Sequence, residues 1–95
     1  MSYVVSITTE AVEELESAYA WLATQSPKHA PKWYNDFIDA LISLEDNPAR
    51  CAKTAIGGDV RQLLFGDKRH AYRIFFTIRG MTVYVQHIRH ASRQT

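Results

Sequence analysis

Residues 60–93 read VRQLLFGDKRHAYRIFFTIRGMTVYVQHIRHASR, three apolar runs separated by two turn signals. Val60 to Phe65 has the length of a strand and follows the turn sequence Gly57-Gly58-Asp59. Gly66-Asp67-Lys68-Arg69 reverses the chain, and His70 to Ile78 runs on, rich in Tyr, Ile and Phe. Arg79-Gly80 is then a tight turn into Met81 to Arg89. Three strands joined by short turns form an antiparallel meander, and side-chain parity sorts them into two faces. With Arg79-Gly80 as a two-residue loop, Ile78 faces Met81, Phe76 faces Val83, Ile74 faces Val85 and Tyr72 faces His87. This face is almost wholly apolar and predicts a core beneath it. The other face carries Arg73 opposite Gln86, Phe75 opposite Tyr84, and His90 near Arg69. Arg61 joins Arg73 only if the Gly66 turn contains an odd-numbered loop such as Asp67 to Arg69.

The N-terminal half supplies what covers the apolar face. Tyr3, Val5 and Ile7 alternate with Val4, Ser6 and Thr8, the period of a half-buried strand. Thr8 or Thr9 caps a helix whose dipole is favoured by Glu10 and Glu13. Ala11, Leu15, Ala18 and Leu22 recur at helical spacing, and the helix ends near Gln25. Pro31 places the start of a second helix at about Ala30, with Trp33, Phe37, Leu41 and Leu44 as its stripe and Asn47-Pro48 as its stop. The two helices pair as an antiparallel hairpin. The expected fold is α+β: one two-layer domain over residues 1–95, strand, two helices, then three strands, with the helices on one face of the sheet. The open second face, with two aromatics, an Arg and a His, suits base stacking and phosphate binding.

Charge is divided along the chain. Residues 1–48 hold eight acids against two bases, a balance of −6, and residues 49–95 hold nine bases against two acids, a balance of +7. The second half therefore predicts contact with a polyanion or an acidic partner. A chain of 95 residues buries only about 60–65% of its unfolded surface, so a stabilising partner is expected. The single Cys51 makes no internal disulfide, no apolar run reaches membrane-spanning length, and MSYVVSITTEAVEE turns acidic where a signal peptide would not. These features predict a cytoplasmic protein. Phosphate-binding loops, dinucleotide fingerprints, nucleophile elbows and paired-cysteine motifs do not occur. His87 and His90 fall on opposite strand faces, so no metal site and no cofactor is expected. Trp21 and Trp33 read as packing residues.

The quoted stretch resembles the C-terminal half of RelE/ParE superfamily toxins. Arg61 on one strand, Tyr72-Arg73 on the next and His90-Ala91-Ser92-Arg93 after the last carry the likeness. ITTEAVEELESAYAWLA and the helix closing at NPARC extend it over essentially the whole chain. The resemblance implies the toxin of a type II toxin–antitoxin module. RelE-like members cut messenger RNA at the ribosome without metal, whereas ParE-like members block DNA gyrase and cleave nothing. Both are neutralised by an antitoxin, here expected to lay an acidic segment on the basic sheet face.

RNA cleavage by the 2′-hydroxyl needs a base, an acid and cations for the phosphorane charge. Arg61, Arg73 and Arg93 are the candidates for phosphate and His90 for the acid/base. Arg69, Tyr84, Gln86 and Lys53 are candidate binding residues around them. The leading expectation is an mRNA endoribonuclease. The alternatives are a non-enzymatic gyrase inhibitor and a degenerate member that only binds its antitoxin. One departure keeps the gyrase alternative open: several RNA-cleaving members carry a functional Tyr soon after the last strand, where this chain has only HASRQT.

Overall fold

The computed structural model describes residues 2–67 and 70–92. Strand β1 (Val4–Ile7) leads into helix α1 (Thr9–Gln25) and helix α2 (Ala30–Ile42). Strands β2 (Arg61–Phe65), β3 (Tyr72–Arg79) and β4 (Thr82–His90) complete one sheet in the order β1-β4-β3-β2. The meander is antiparallel, and β1 lies parallel to β4 at the edge. The expected α+β architecture, with both helices over one face, is the one observed.

Each helix begins where its sequence says. The Thr8 hydroxyl caps α1 by accepting from the Ala11 N–H at 3.2 Å. Pro31 occupies the first turn of α2, where its missing N–H costs nothing. The second helix is shorter than the apolar spacing predicts. It gives way at Ser43 to two short 3₁₀ turns (43–45 and 48–50), with Asn47 between them in the left-handed region at φ 48°. Leu44 nevertheless stays fully buried, now from the first of these turns.

Ala11, Leu15, Phe37, Leu41 and Leu44 meet Ile74, Phe76, Val83, Val85 and Ile88 in one core. Each fully buried side chain of this size contributes about 1.5–3 kcal/mol. An aromatic cluster continues the core toward the β2–β3 turn: Trp33 packs on Phe37, Phe65 and Tyr72 with centroids 5.3, 6.1 and 5.6 Å away.

Two details of β4 decide where its side chains point. The hairpin loop is Gly80-Met81, because Arg79 pairs with Thr82. Gly80 sits at φ 59° as first central residue, the position that a type II′ turn reserves for glycine. The register is thus two residues off the expected one, and this leaves the faces unchanged. The second detail does change them. Phe76 pairs with Val85 but Phe75 pairs with His87, so Gln86 is an extra residue, a β-bulge. Thr8 holds the bulge in place. Its N–H donates to the Val85 carbonyl at 3.0 Å and its hydroxyl to the Gln86 carbonyl at 3.2 Å.

Candidate functional site

The sheet face away from the helices is laid out in rows. Leu64, Arg73 and Arg89 form one row across β2, β3 and β4, and Gln62, Phe75 and His87 form the next. Thr77 opposite Tyr84 and Arg79 opposite Thr82 continue it toward the hairpin. Neighbours in a row are about 5 Å apart, so each row is a contact set. Arg73 donates to Gln62 Oε1 at 3.4 Å. Leu64 is 58% and Tyr84 37% exposed, while Phe75 is half-buried. The surface therefore mixes arginines with apolar and aromatic groups.

Two arginines directly opposite each other repel. Arg89 is neutralised from the sheet edge by Glu14 of α1, whose Oε2 accepts from its Nε at 2.9 Å. The other oxygen of Glu14 accepts the Ile88 N–H at 2.8 Å and lies 3.4 Å from His87 Nδ1. One carboxylate thus serves a guanidinium, an imidazole and a backbone donor of β4 that β1 is too short to reach.

The residues singled out by sequence do not all gather here. Arg73 and Tyr84 lie on the open face, with Tyr84 opposite Thr77 rather than Phe75. Gln86 is the bulge residue and does not face Arg73. Its place opposite Arg73 belongs to Arg89. Arg61 is on the other face: Phe65 pairs with Tyr72, leaving residues 66–71, an even number, in the loop. Its guanidinium donates to the Cys51 carbonyl at 2.6 Å and the Ala49 carbonyl at 3.2 Å, tying the second 3₁₀ turn to β2. His90 has also changed sides. Beyond the bulge the even-numbered residues turn inward, and the His90 ring meets Tyr72 edge-on at 5.0 Å. His90 Nδ1 accepts from the Ser92 N–H at 3.2 Å and lies 2.9 Å from its hydroxyl. Lys53 pairs with Asp59 at 3.0 Å, and this hydrogen bond and charge hold the Asp59 carboxyl below its ordinary range. Arg69 and Arg93 lie outside the described residues.

Sequence reasoning missed His87 and Glu14. A single inserted residue exchanges His87 and His90 between faces, and the bulge carries no composition signal. Glu14 reads only as a surface helix acid, because its partners are 74 and 75 residues away in sequence. Thr77 was missed too: it is 6% exposed on the open-face side, and its hydroxyl has no hydrogen-bond partner among the described residues. Trp21, expected to be a packing residue, is 43% exposed. Among the described residues no group of His, Cys, Asp or Glu is placed to hold a metal, and no helix is long and apolar enough to cross a membrane.

The described residues thus form a strand-first α+β domain whose open sheet face carries arginines beside apolar and aromatic groups. Residues 5–95 match the family described as the ParE toxin of type II toxin–antitoxin system, parDE. The chain belongs to that family of toxins, whose members are paired with a cognate antitoxin. No curated protein matches it. Among solved structures it is similar to a chain of the chromosomal ParDE toxin–antitoxin system from P. aeruginosa, at 18% identity. That match covers 94% of this chain and 96% of the other with a TM-score of 0.79, a likeness of fold.

Proposed function

We propose that this toxin arrests growth in the cytoplasm by binding DNA gyrase through its open sheet face, without chemistry of its own. The observation that carries this is the bulge at Gln86. It turns His90 away from Arg73, so the expected acid/base and the central phosphate-binding cation stand on opposite sides of the sheet. Arg61 is engaged with two backbone carbonyls on the helix side. The open face keeps Leu64, Phe75 and Tyr84 around Arg73, with Gln62, His87 and Arg89 beside them. Aromatic groups with arginine are the composition of protein-binding hot spots. Membership of the ParE family points the same way. The antitoxin's acidic segment covers this same face and blocks it.

Messenger-RNA cleavage is the second reading, and one observation favours it. His87 shares the open face with Arg73 and Arg89 and has Glu14 beside its ring, the arrangement of an oriented general base. Purified protein in a gyrase supercoiling assay beside an in vitro translation assay separates the two. Gyrase binding predicts lost supercoiling, intact translation, and loss of the effect in Arg73→Ala but not in His87→Gln. Translation stopped by wild type and spared by His87→Gln would replace it with the RNA reading. Neither assay responding leaves only a member that binds its antitoxin.

A further inference from the structure

We propose that Thr8 is a positioning residue of the toxin surface: its hydroxyl ties the start of α1 to the bulge of β4 and so sets which charges stand on the open face. This rests on the reading of that face as the binding surface and adds the residue that keeps it in register.

The polar groups of Thr8 are divided between two elements. Toward β4, its N–H donates to the Val85 carbonyl at 3.0 Å and its hydroxyl to the Gln86 carbonyl at 3.2 Å. Toward α1, the same hydroxyl oxygen accepts from the Ala11 N–H at 3.2 Å and the Thr8 carbonyl from the Val12 N–H at 3.0 Å. A hydroxyl has one proton and two lone pairs, so it gives to the bulge and takes from the helix at once. The cap of α1 and the lock on β4 are one atom.

That lock stands where β4 has two ways to continue. Strict alternation from Val85 would put Gln86, Ile88 and His90 on the open face and His87 and Arg89 beneath the helices. The bulge gives the opposite partition, with His87 beside Phe75 and Arg89 beside Arg73. Ile88, 3% exposed, favours the bulge by its own burial. Its burial does nothing for Gln86. The ladder joins Val85 to Ile7 and Phe76 and joins His87 to Phe75, so Gln86 has no partner residue on either neighbouring strand. Thr8 supplies the donor that its carbonyl needs. A second tie follows from the first. Glu14 lies six residues on, about 9 Å along the helix, and accepts the Ile88 N–H at 2.8 Å. Where α1 is capped therefore sets where Glu14 meets β4, and the two ties clasp the bulged end of the strand.

Three substitutions separate capping from positioning. Thr8→Ser keeps both the donor and the acceptor. Thr8→Asp remains an excellent cap, but its carboxylate has no proton to give and sets an acceptor against the Gln86 carbonyl. Thr8→Val keeps the shape and loses both bonds. Helix capping alone ranks Ser and Asp above Val, in melting temperature and in activity alike. Positioning ranks activity differently: Ser equal to wild type, Val weaker, Asp weakest. Inhibition of gyrase supercoiling by Thr8→Asp should need roughly 10-fold more protein, since a buried carbonyl loses its donor. In the same variant the Ile88 amide should exchange with solvent faster, and NMR cross-peaks between the His90 and Tyr72 rings should fade. Thr8→Ser should preserve both signals. Wild-type potency in Thr8→Asp overturns the proposal, as does potency that merely follows melting temperature. Lost potency with Ile88 exchange and ring cross-peaks unchanged also overturns it and makes Thr8 a direct contact. If wild type does not inhibit gyrase, the proposed target falls, while the exchange and cross-peak order across the three variants still decides the role of Thr8.

Discussion

Replacing Arg61 with Met keeps an unbranched aliphatic stem and removes two hydrogen bonds to carbonyls. The bond to the Cys51 carbonyl is 2.6 Å long and partly buried, and the one to Ala49 is 3.2 Å and exposed. A hydrogen bond from a charged donor contributes about 1.5–3 kcal/mol, with exposed ones at or below the lower end. Water takes over the Ala49 carbonyl, so the loss centres on Cys51 and comes to about 2 kcal/mol. Each kcal/mol shifts the melting temperature of a domain this size by roughly 4–8 °C, so a fall of roughly 8–16 °C is expected by circular dichroism. Growth arrest, assayed well below the new midpoint, should persist. Arg73→Ala should do the reverse, abolishing arrest with little change in melting temperature, because its bond to Gln62 is long and exposed. A folded Arg61→Met protein with an unchanged melting temperature and no toxicity would refute this division and return Arg61 to the functional surface.

Glu14→Ala strips the acceptor from the Ile88 N–H and should cost about 1–3 kcal/mol in urea unfolding, whereas Glu14→Gln keeps an acceptor there and should recover part of it. Equal losses in the two variants would mean that the charge on Arg89 matters and the backbone bond does not. Thr77→Val replaces a buried hydroxyl that has no partner among the described residues with a methyl of similar shape, so stability should rise by about 1 kcal/mol. A drop in chemical stability would reveal a partner for that hydroxyl. Gly66→Ala should destabilise by more than about 1 kcal/mol, since a Cβ there would stand 2.6 Å from the His70 carbonyl oxygen at a φ of 93°. The same change at Gly57 or Gly58, where a Cβ meets nothing, bears only the strain of positive φ and should cost less.

The sequence alone determined the element order, the helix starts and most of the core, although Met81, expected inside, lies in the hairpin loop 41% exposed and Ile88 enters the core only through the bulge. These depend on local rules: a hydroxyl before an apolar stripe, a proline in a first turn, side-chain periods of 3.6 and 2. Thr8, Pro31, Phe37 and Ile74 each do what their neighbours in sequence require. Parity also survived a hairpin loop misplaced by one residue, since the register then moved by two. Tertiary structure decided the site. The bulge at Gln86 exists because Thr8, at the junction of β1 and α1, supplies donors to the carbonyls of both Val85 and Gln86. That partnership spans 78 positions in sequence and leaves no trace in the composition of β4. A strand period of two has no tolerance for one inserted residue, so everything beyond it exchanges faces. His90 thereby goes to Tyr72 and His87 to Phe75, and the even-numbered β2–β3 loop sends Arg61 to the helix side in the same way. Most of the core is a matter of local pattern. Which charged residues stand together depends on counting residues between strands, and only the packed chain fixes that count.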